Sequence, residues 1–495
     1  MKPDEANRRE SDSLGWIEVP ATALYGAQTV RAIGNFPISG LRASPYLIRA
    51  IAAIKLAAAQ ANGQLGVIDA DQSRAIQQAA QEVMDGRFHD QFPVDVFQAG
   101  AGVSFHMNTN EVLANRANQI LAAEAGGGSA EDAAPAEPEA DPALAALGRY
   151  APIHPNDHVN YGQSTNDVFP TAMRVSALLA LRDLDPVLAE FEEGLQQKAH
   201  EFDGILKSGR THLQDATPIR LGQEFAAYAE AIRAAAAAIA SAARPLHDLG
   251  LGGSAVGTGI NTHPEYRVLA IANLARVTGL PLTPAADMRF AMQSCAPVAT
   301  VSGALRSLGL EVIRISNDLR LLASGPNTGL REIDLPALQP GSSIMPGKVN
   351  PVLAELAAMI GFQVAGNDTA IALAVQAGQL ELNVMMPTMT HNLLQSITIL
   401  TNFLREFDRR CVRGITANPE RCSNYAASTV ALATALNPYI GYRRAADVAK
   451  ESVHSGRSII EIVRSERLLT EAQIATILDA RAMTEPRAPE EKPTS

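Results

Sequence analysis

Residues 341–351, GSSIMPGKVNP, set two serines, one lysine and one asparagine among two glycines and two prolines. Glycine and proline at that density make a loop. Hydroxyls and one cation on such a loop suit an anion, so the stretch reads as a mobile clamp. Three other stretches crowd polar residues where their surroundings are apolar: GAGVSFHMNTNEVLANR (100–116), HPNDHVNYGQSTNDVFPTAM (154–173) and GRTHLQDATPIRLGQE (209–224). They contribute Ser104; Ser164, Thr165 and Asn166; and Thr211 and His212. Taken singly, Ser, Thr or Asn at a helix start is usually a cap. Several such starts could instead aim backbone N–H groups at one anion. Neutral donors with a single lysine, Lys348, fit a small dicarboxylate better than a phosphate. His154 and His158 have H-x-x-x-H spacing, but Pro155 and the Asn-Asp pair make a turn there, without the glutamate of a zinc-protease helix, so no metal site is expected. No Gly-rich dinucleotide fingerprint follows a strand. The chemistry implied requires no cofactor.

The elements that must position these residues are helices. LGQEFAAYAEAIRAAAAAIASAARPLHDLG is apolar on nearly every face up to Pro245, and VATVSGALRSLGLEVIRISNDLRLLAS is similar. A third long helix is expected from Val352 towards Leu373 and a fourth from Thr171 to about Glu201. At 1.5 Å per residue each spans roughly 40 Å, longer than a small domain is wide. Such wide apolar faces need partners, which identical subunits in a multi-helix bundle supply most simply.

Composition agrees. Of 495 residues 47% are hydrophobic but only 5% aromatic, which favours closely packed helices over sheets. The net charge of −11 argues against a nucleic-acid partner. Cys295, Cys411 and Cys422 are too widely spaced for a disulfide framework and are expected to be buried thiols. The start carries no apolar signal region and no uninterrupted apolar run reaches about 18 residues, so neither secretion nor a membrane span is expected and the chain is placed in the cytoplasm. Residues 1 to about 13 and the tail from about Glu485 are expected to be disordered, and the Gly/Ala/Pro/acidic stretch at about 122–147 to be a solvated insertion.

GSSIMPGKVNP resembles the signature loop of the fumarase/aspartase superfamily. GRTHLQDATPIRLGQEF, HPNDHVN, QSTND, NDLRLLASGP and ELNVMMP resemble further stretches of it, over nearly the whole chain. The resemblance implies a mainly α subunit of three domains, here 1–163, 164–419 and 420–495, the central one holding the long helices and the 341–351 loop. It implies a homotetramer with a core of twenty helices and active sites drawing on three subunits. The activity implied is a lyase acting on a four-carbon dicarboxylate. FPVDVFQAGAG, MNTNEVLAN and AGQLELNVM favour deamination of L-aspartate to fumarate and ammonia; His154 in HPNDH and the ATP of QDATP lean to hydration of fumarate instead. A related lyase and an inactive structural paralogue stay open, as does activation by a divalent cation.

By the same resemblance Ser343 is the general base, acting as an alkoxide. Lys348 and Asn350 bind carboxylate oxygens, Thr165 and Asn166 hold the other end of the substrate with Ser164 beside them, and Thr211 and His212 complete the pocket. Glu355 partners His212, which either contacts a carboxylate or carries a proton to the leaving group; the plainer reading of Glu355 is a first-turn glutamate favoured by the helix dipole. Three residues depart from the family pattern: Val103 replaces a threonine that binds substrate carboxylate, His106 an asparagine, and Asn327 an arginine. Ser104 and His106 are candidates to compensate for the missing hydroxyl.

Overall fold

In the computed structural model, residues 7–125 and 147–486 are described. They are mostly helical, with four two-stranded sheets among them. The long helices run Pro45–Gln64, Val103–Ala125, Thr165–Glu201, Leu221–Ala243, Ala296–Leu322, Val352–Gln376 and Met386–Arg410. The chain divides into two compact units, each built from three separate segments.

The first unit comprises Met1–Leu184, Ala238–Ser307 and Gln363–Leu400. It opens on a hairpin, Asn7–Asp12 against Gly15–Pro20, where disorder was expected; residues 1–6 lie outside the described part. The charges that made this stretch look solvated are paired. Arg8 donates to the carbonyls of Pro20, Ala21, Ala23 and Tyr25, and Glu10, 2% exposed, accepts from the Ala27 N–H and the Tyr150 hydroxyl. The 45–64 helix starts on a Ser44 cap with Pro45 in its first turn, and it is buried on almost every face. The 103–125 helix is buried similarly and takes in residues 122–125 of the expected insertion, whose residues 126–146 fall outside the described part. Its Glu111 accepts four hydrogen bonds, from the Gly26, Gln28 and Thr29 amides and the Thr29 hydroxyl, and so caps the Ala27–Asn35 helix from across the core. The expected turn at 154–158 is a single π-helical turn, Pro155–Val159.

The second unit comprises Asp185–Ala237, Leu308–Phe362 and Thr401–Ser495. It carries the hairpin Leu206–Thr211/Gln214–Arg220 and a small helical core in which Leu432, Leu436, Val448, Ile459, Ile462, Val463 and Ile474 are buried together. Glu485, at the start of the expected disordered tail, pairs with Arg220 at 2.7 Å; residues 487–495 lie outside the described part. The three cysteines are buried as expected, and burial pushes their thiols up to about 11 for Cys295 and about 12 for Cys411 and Cys422.

Among the described residues one helix, Val352–Gln376, is long and apolar enough to cross a membrane by length and composition. Its polar residues point to a bundle instead. Asn367 hydrogen-bonds Gln395 and Ser396, and Asp368 accepts from Ser302 and Arg306.

Candidate active site

The first unit holds the polar start of the 165–201 helix. The Ser164 N–H donates to Asp167 Oδ1 (2.9 Å) and the Asn166 N–H to Ser164 Oγ (3.2 Å), a reciprocal cap that begins the helix at Thr165 rather than at the Thr171 expected from the pattern. The second carboxylate oxygen of Asp167 accepts from the Gly252 and Ser254 amides at 2.9 and 3.0 Å, and Asn166 Nδ2 donates to the Ala255 carbonyl at 2.9 Å. Asp167 thereby ties this helix start to the 252–255 turn. Its carboxyl is pushed up to about 6 by burial, against the pull of those amides and of the Lys55 charge.

Behind Thr165 stands a row of buried groups. Thr165 Oγ1 lies 2.7 Å from His106 Nδ1, and His106 Nε2 lies 2.6 Å from Lys55 Nζ. Lys55 also donates to Asn160 Oδ1 and Gln163 Oε1, both at 2.9 Å. Lys55 is fully buried and His106 nearly so. Burial holds the Lys55 ammonium well below its ordinary range, with Asp167 opposing, and burial with the Lys55 charge does the same to the His106 imidazolium. His106 reaches Thr165 because the chain passes close to the 165–201 helix at Gly102, whose φ is +94° and where a Cβ would run into the Phe169 ring. Val103 and Ser104 occupy the first turn of the 103–125 helix, Val103 41% exposed and Ser104 partly buried.

The second unit holds the rest. Thr211 and His212 sit at no helix end. Thr211 closes the strand 206–211, pairing with Gln214, and His212 and Leu213 form the two-residue hairpin tip with φ of 58° and 59°. All three are exposed. Below the tip Arg210 reaches both oxygens of the fully buried Glu332, at 3.0 and 2.9 Å, and Lys207 bridges Glu332 (3.3 Å) and Glu224 (2.7 Å).

The 341–351 loop is pinned at its neck and exposed at its crest. The Gly341 N–H donates to the Lys348 carbonyl (2.9 Å), and Asn350 Nδ2 to the Gly341 carbonyl (2.7 Å). A Cβ on Gly341 would collide with that Lys348 carbonyl. Ser342 Oγ accepts from the Ile344 and Met345 amides, while Ser343 and Lys348 are exposed. Glu355 is in the first turn of the next helix, partly buried, and among the described residues no ion pair joins it to His212 within one chain.

The predicted residues therefore form two sets, Ser104 with Ser164–Asn166 in one unit, and Thr211, His212, Ser343, Lys348, Asn350 and Glu355 in the other. Sequence reasoning missed Lys55, Asn160, Gln163 and Asp167. The available signal was Lys55 itself, the one charge in the apolar stretch AAIKLAAA.

Comparison with known proteins gives the family. A lyase family model matches residues 15–366, and a model of the fumarase C C-terminus matches 432–485. An aspartate ammonia-lyase of a Bacillus species is 45% identical over 479 residues, covering 97% of this chain and 98% of that protein. A class II fumarate hydratase of Halobacterium salinarum is 47% identical, covering 97% of each. The solved class II fumarase of Schistosoma mansoni superposes with a TM-score of 0.90 at 35% identity, over 98% of this chain and all of that one. With a lyase model over most of its length and relatives of such identity across nearly all of it, the chain belongs to the fumarase/aspartase superfamily.

Proposed function

We propose that the chain is an aspartate ammonia-lyase, converting L-aspartate reversibly to fumarate and ammonia as a homotetramer whose active sites draw on three subunits. The division of each subunit at 163/164 and 419/420 into three domains is part of the same reading. Ser343 removes a proton from C3, the carbon beside one carboxylate. The charge that develops spreads into that carboxylate as a dianion, and the amine then leaves from the neighbouring carbon. Preorganised donors to the developing charge each lower the barrier by about 3–4 kcal/mol. Lys348 and Asn350 supply them to that carboxylate, whereas Ser104, Ser164, Thr165 and Asn166 hold the other end of the substrate in ground and transition state alike. Thr211 and His212 complete the pocket, His212, backed by Glu355, contacting a carboxylate or carrying a proton to the leaving group. The chemistry as written uses no cofactor, and a divalent cation enters at most as an activator, which assays with and without a chelator test.

The observation that carries this reading is the form of the 341–351 loop. A neck closed by two hydrogen bonds carries Ser343 on an exposed crest, with Gly347 at φ +79°. That is the construction of a flap that can cover a ligand and deliver a base.

Hydration of fumarate is the second reading, favoured by the 47% identity to a fumarate hydratase. The ultraviolet absorbance of fumarate separates the two. Growth of the signal with aspartate and not with malate is expected; growth with malate alone refutes the first reading, and turnover of either excludes an inactive paralogue. Ser343→Ala is expected to abolish turnover, and full activity in that variant removes the serine from the base role.

A further inference from the structure

The row Lys55–His106–Thr165 has two ways to satisfy its hydrogen bonds. In one, the Lys55 ammonium donates its three protons to Asn160 Oδ1, Gln163 Oε1 and His106 Nε2. The imidazole proton is then on Nδ1 and is donated to Thr165 Oγ1, which leaves the threonine's own proton for a ligand. In the other, a neutral Lys55 amine accepts from His106 Nε2–H, and Nδ1 accepts the Thr165 hydroxyl proton. The two patterns differ by one proton, and every bond from Lys55 to Thr165 reverses between them. The second leaves only lone pairs on Thr165 to face an incoming carboxylate.

We infer that His106 is a positioning residue: it relays the charge of Lys55 to Thr165 and holds that hydroxyl as a donor for a substrate carboxylate. The inference rests on the lyase reading, in which Thr165 meets a carboxylate. Several observations support it. The three hydrogen-bond partners of Lys55 carry no charge and burial alone favours its neutral amine, so a carboxylate arriving at Thr165 is what would stabilise the ammonium pattern along the row. The titratable groups facing it are His106, Asp167 on the 165–201 helix and, beyond Asp167, Tyr266 on the Tyr266–Thr278 helix. Asp167 has its two oxygens engaged by three backbone amides, so it moderates the Lys55 charge from a distance. The asparagine that the family pattern puts at position 106 offers a carbonyl and an N–H side by side, the same acceptor-and-donor pair that the ring nitrogens present here. His106 thus performs the same task with a longer reach. Its place one turn after Val103 puts the relay in the segment that has lost a carboxylate-binding hydroxyl.

The test is a double-mutant cycle on steady-state kinetics with whichever of aspartate, malate or fumarate the parent enzyme turns over. Thr165→Val and His106→Leu are each expected to raise KM by about tenfold or more with kcat little changed. The double variant should be no worse than Thr165→Val alone, since His106 acts only through that hydroxyl. His106→Asn should restore KM to within about threefold of the parent. Multiplicative effects in the double variant, or an asparagine variant as poor as the leucine one, overturn the inference. A readout independent of substrate and of any variant's folding is the tautomer of His106, read from nitrogen chemical shifts of histidine-labelled parent protein at pH 6. A neutral ring protonated on Nδ1 is expected; a proton on Nε2 or a doubly protonated ring overturns it. Absence of turnover with all three compounds refutes the lyase reading instead, and the tautomer still decides the relay.

Discussion

Glu332→Gln tests how the His212 hairpin is held. Glu332 is fully buried and faces two cations, Arg210 at 2.9–3.0 Å and Lys207 at 3.3 Å, while Lys207 also pairs with Glu224 at 2.7 Å. The four groups balance as two positive and two negative charges. Replacing Glu332 by glutamine leaves one buried positive charge uncompensated, and loss of one partner of a buried pair costs about 3–5 kcal/mol. At about 2–4 °C per kcal/mol for a unit of 150–250 residues, the melting temperature should fall by about 6–20 °C. Arg210 directly precedes Thr211, so the hairpin tip loses its anchor, and KM should rise even well below the melting point. The control is Arg210→Met with Glu332→Met, which removes both charges and leaves the Lys207–Glu224 pair balanced. It should regain most of the stability, since apolar residues of similar volume replace buried pairs at little cost. Thermal unfolding followed by circular dichroism, with kinetics at 25 °C, measures all three. A fall below about 2 °C in Glu332→Gln, or a double variant less stable than the single one, refutes the charge-balance argument.

Val103→Thr puts back the hydroxyl that the family pattern expects and should lower KM by about fivefold or more, as one good hydrogen bond to a charged group would; an unchanged or higher KM refutes it. The three thiols are buried and titrate far above neutrality, so iodoacetamide at pH 8 should leave Cys295, Cys411 and Cys422 unmodified in the native protein and label all three after denaturation, as read by mass spectrometry. Labelling of any of them at native pH 8 contradicts their burial. The sign is that of a raised thiol: the reactive thiolate appears only as pH climbs towards 11.

The long helices were legible because apolar residues recur on wide faces over more than twenty positions, and that signal survives local noise. The 296–322 and 352–376 helices begin and end within three residues of the expected limits. The 165–201 helix starts six residues earlier than its periodicity suggested, because Pro170 interrupts the pattern while the Ser164–Asp167 cap holds the first turn regardless. The 206–220 hairpin was hidden for the opposite reason. His212 and Leu213 take positive φ without a glycine, so the tip carries none of the residues that announce such a turn. The 7–20 hairpin was hidden by charges that read as solvated and are in fact satisfied by carbonyls far along the chain. Lys55 escaped notice because a lysine on an alanine-rich helix usually extends to solvent. Only the fold shows that this one faces His106. Residue type pointed to the candidate donors, whereas the groups packed behind them, such as Lys55 behind Thr165, depend on contacts of long sequence separation.

The surface of the 352–376 helix carries the argument for association. Met359, Phe362 and Leu373 are 64%, 65% and 63% exposed, and Leu356 is 37% exposed. At about 100° per residue these four fall within one stripe, roughly 120° wide, and Gly366 lies within the same arc with open space where a side chain would be. Single exposed apolar residues are ordinary, but four large ones on one face of a helix, with only Gln363 as a polar exposed residue between Leu356 and Gly366 in that arc, call for a partner. The glycine in its middle lets a second helix approach closely. A homotetramer built on such stripes makes a direct prediction for Phe362→Glu, which introduces a charge where the partner helix would exclude water. Light scattering should find four chains in the parent and fewer in the variant, and lyase activity should fall with the assembly if, as proposed, each site draws residues from more than one chain. A parent that is monomeric and fully active, or a variant that keeps both assembly and activity, would show that the stripe serves neither purpose.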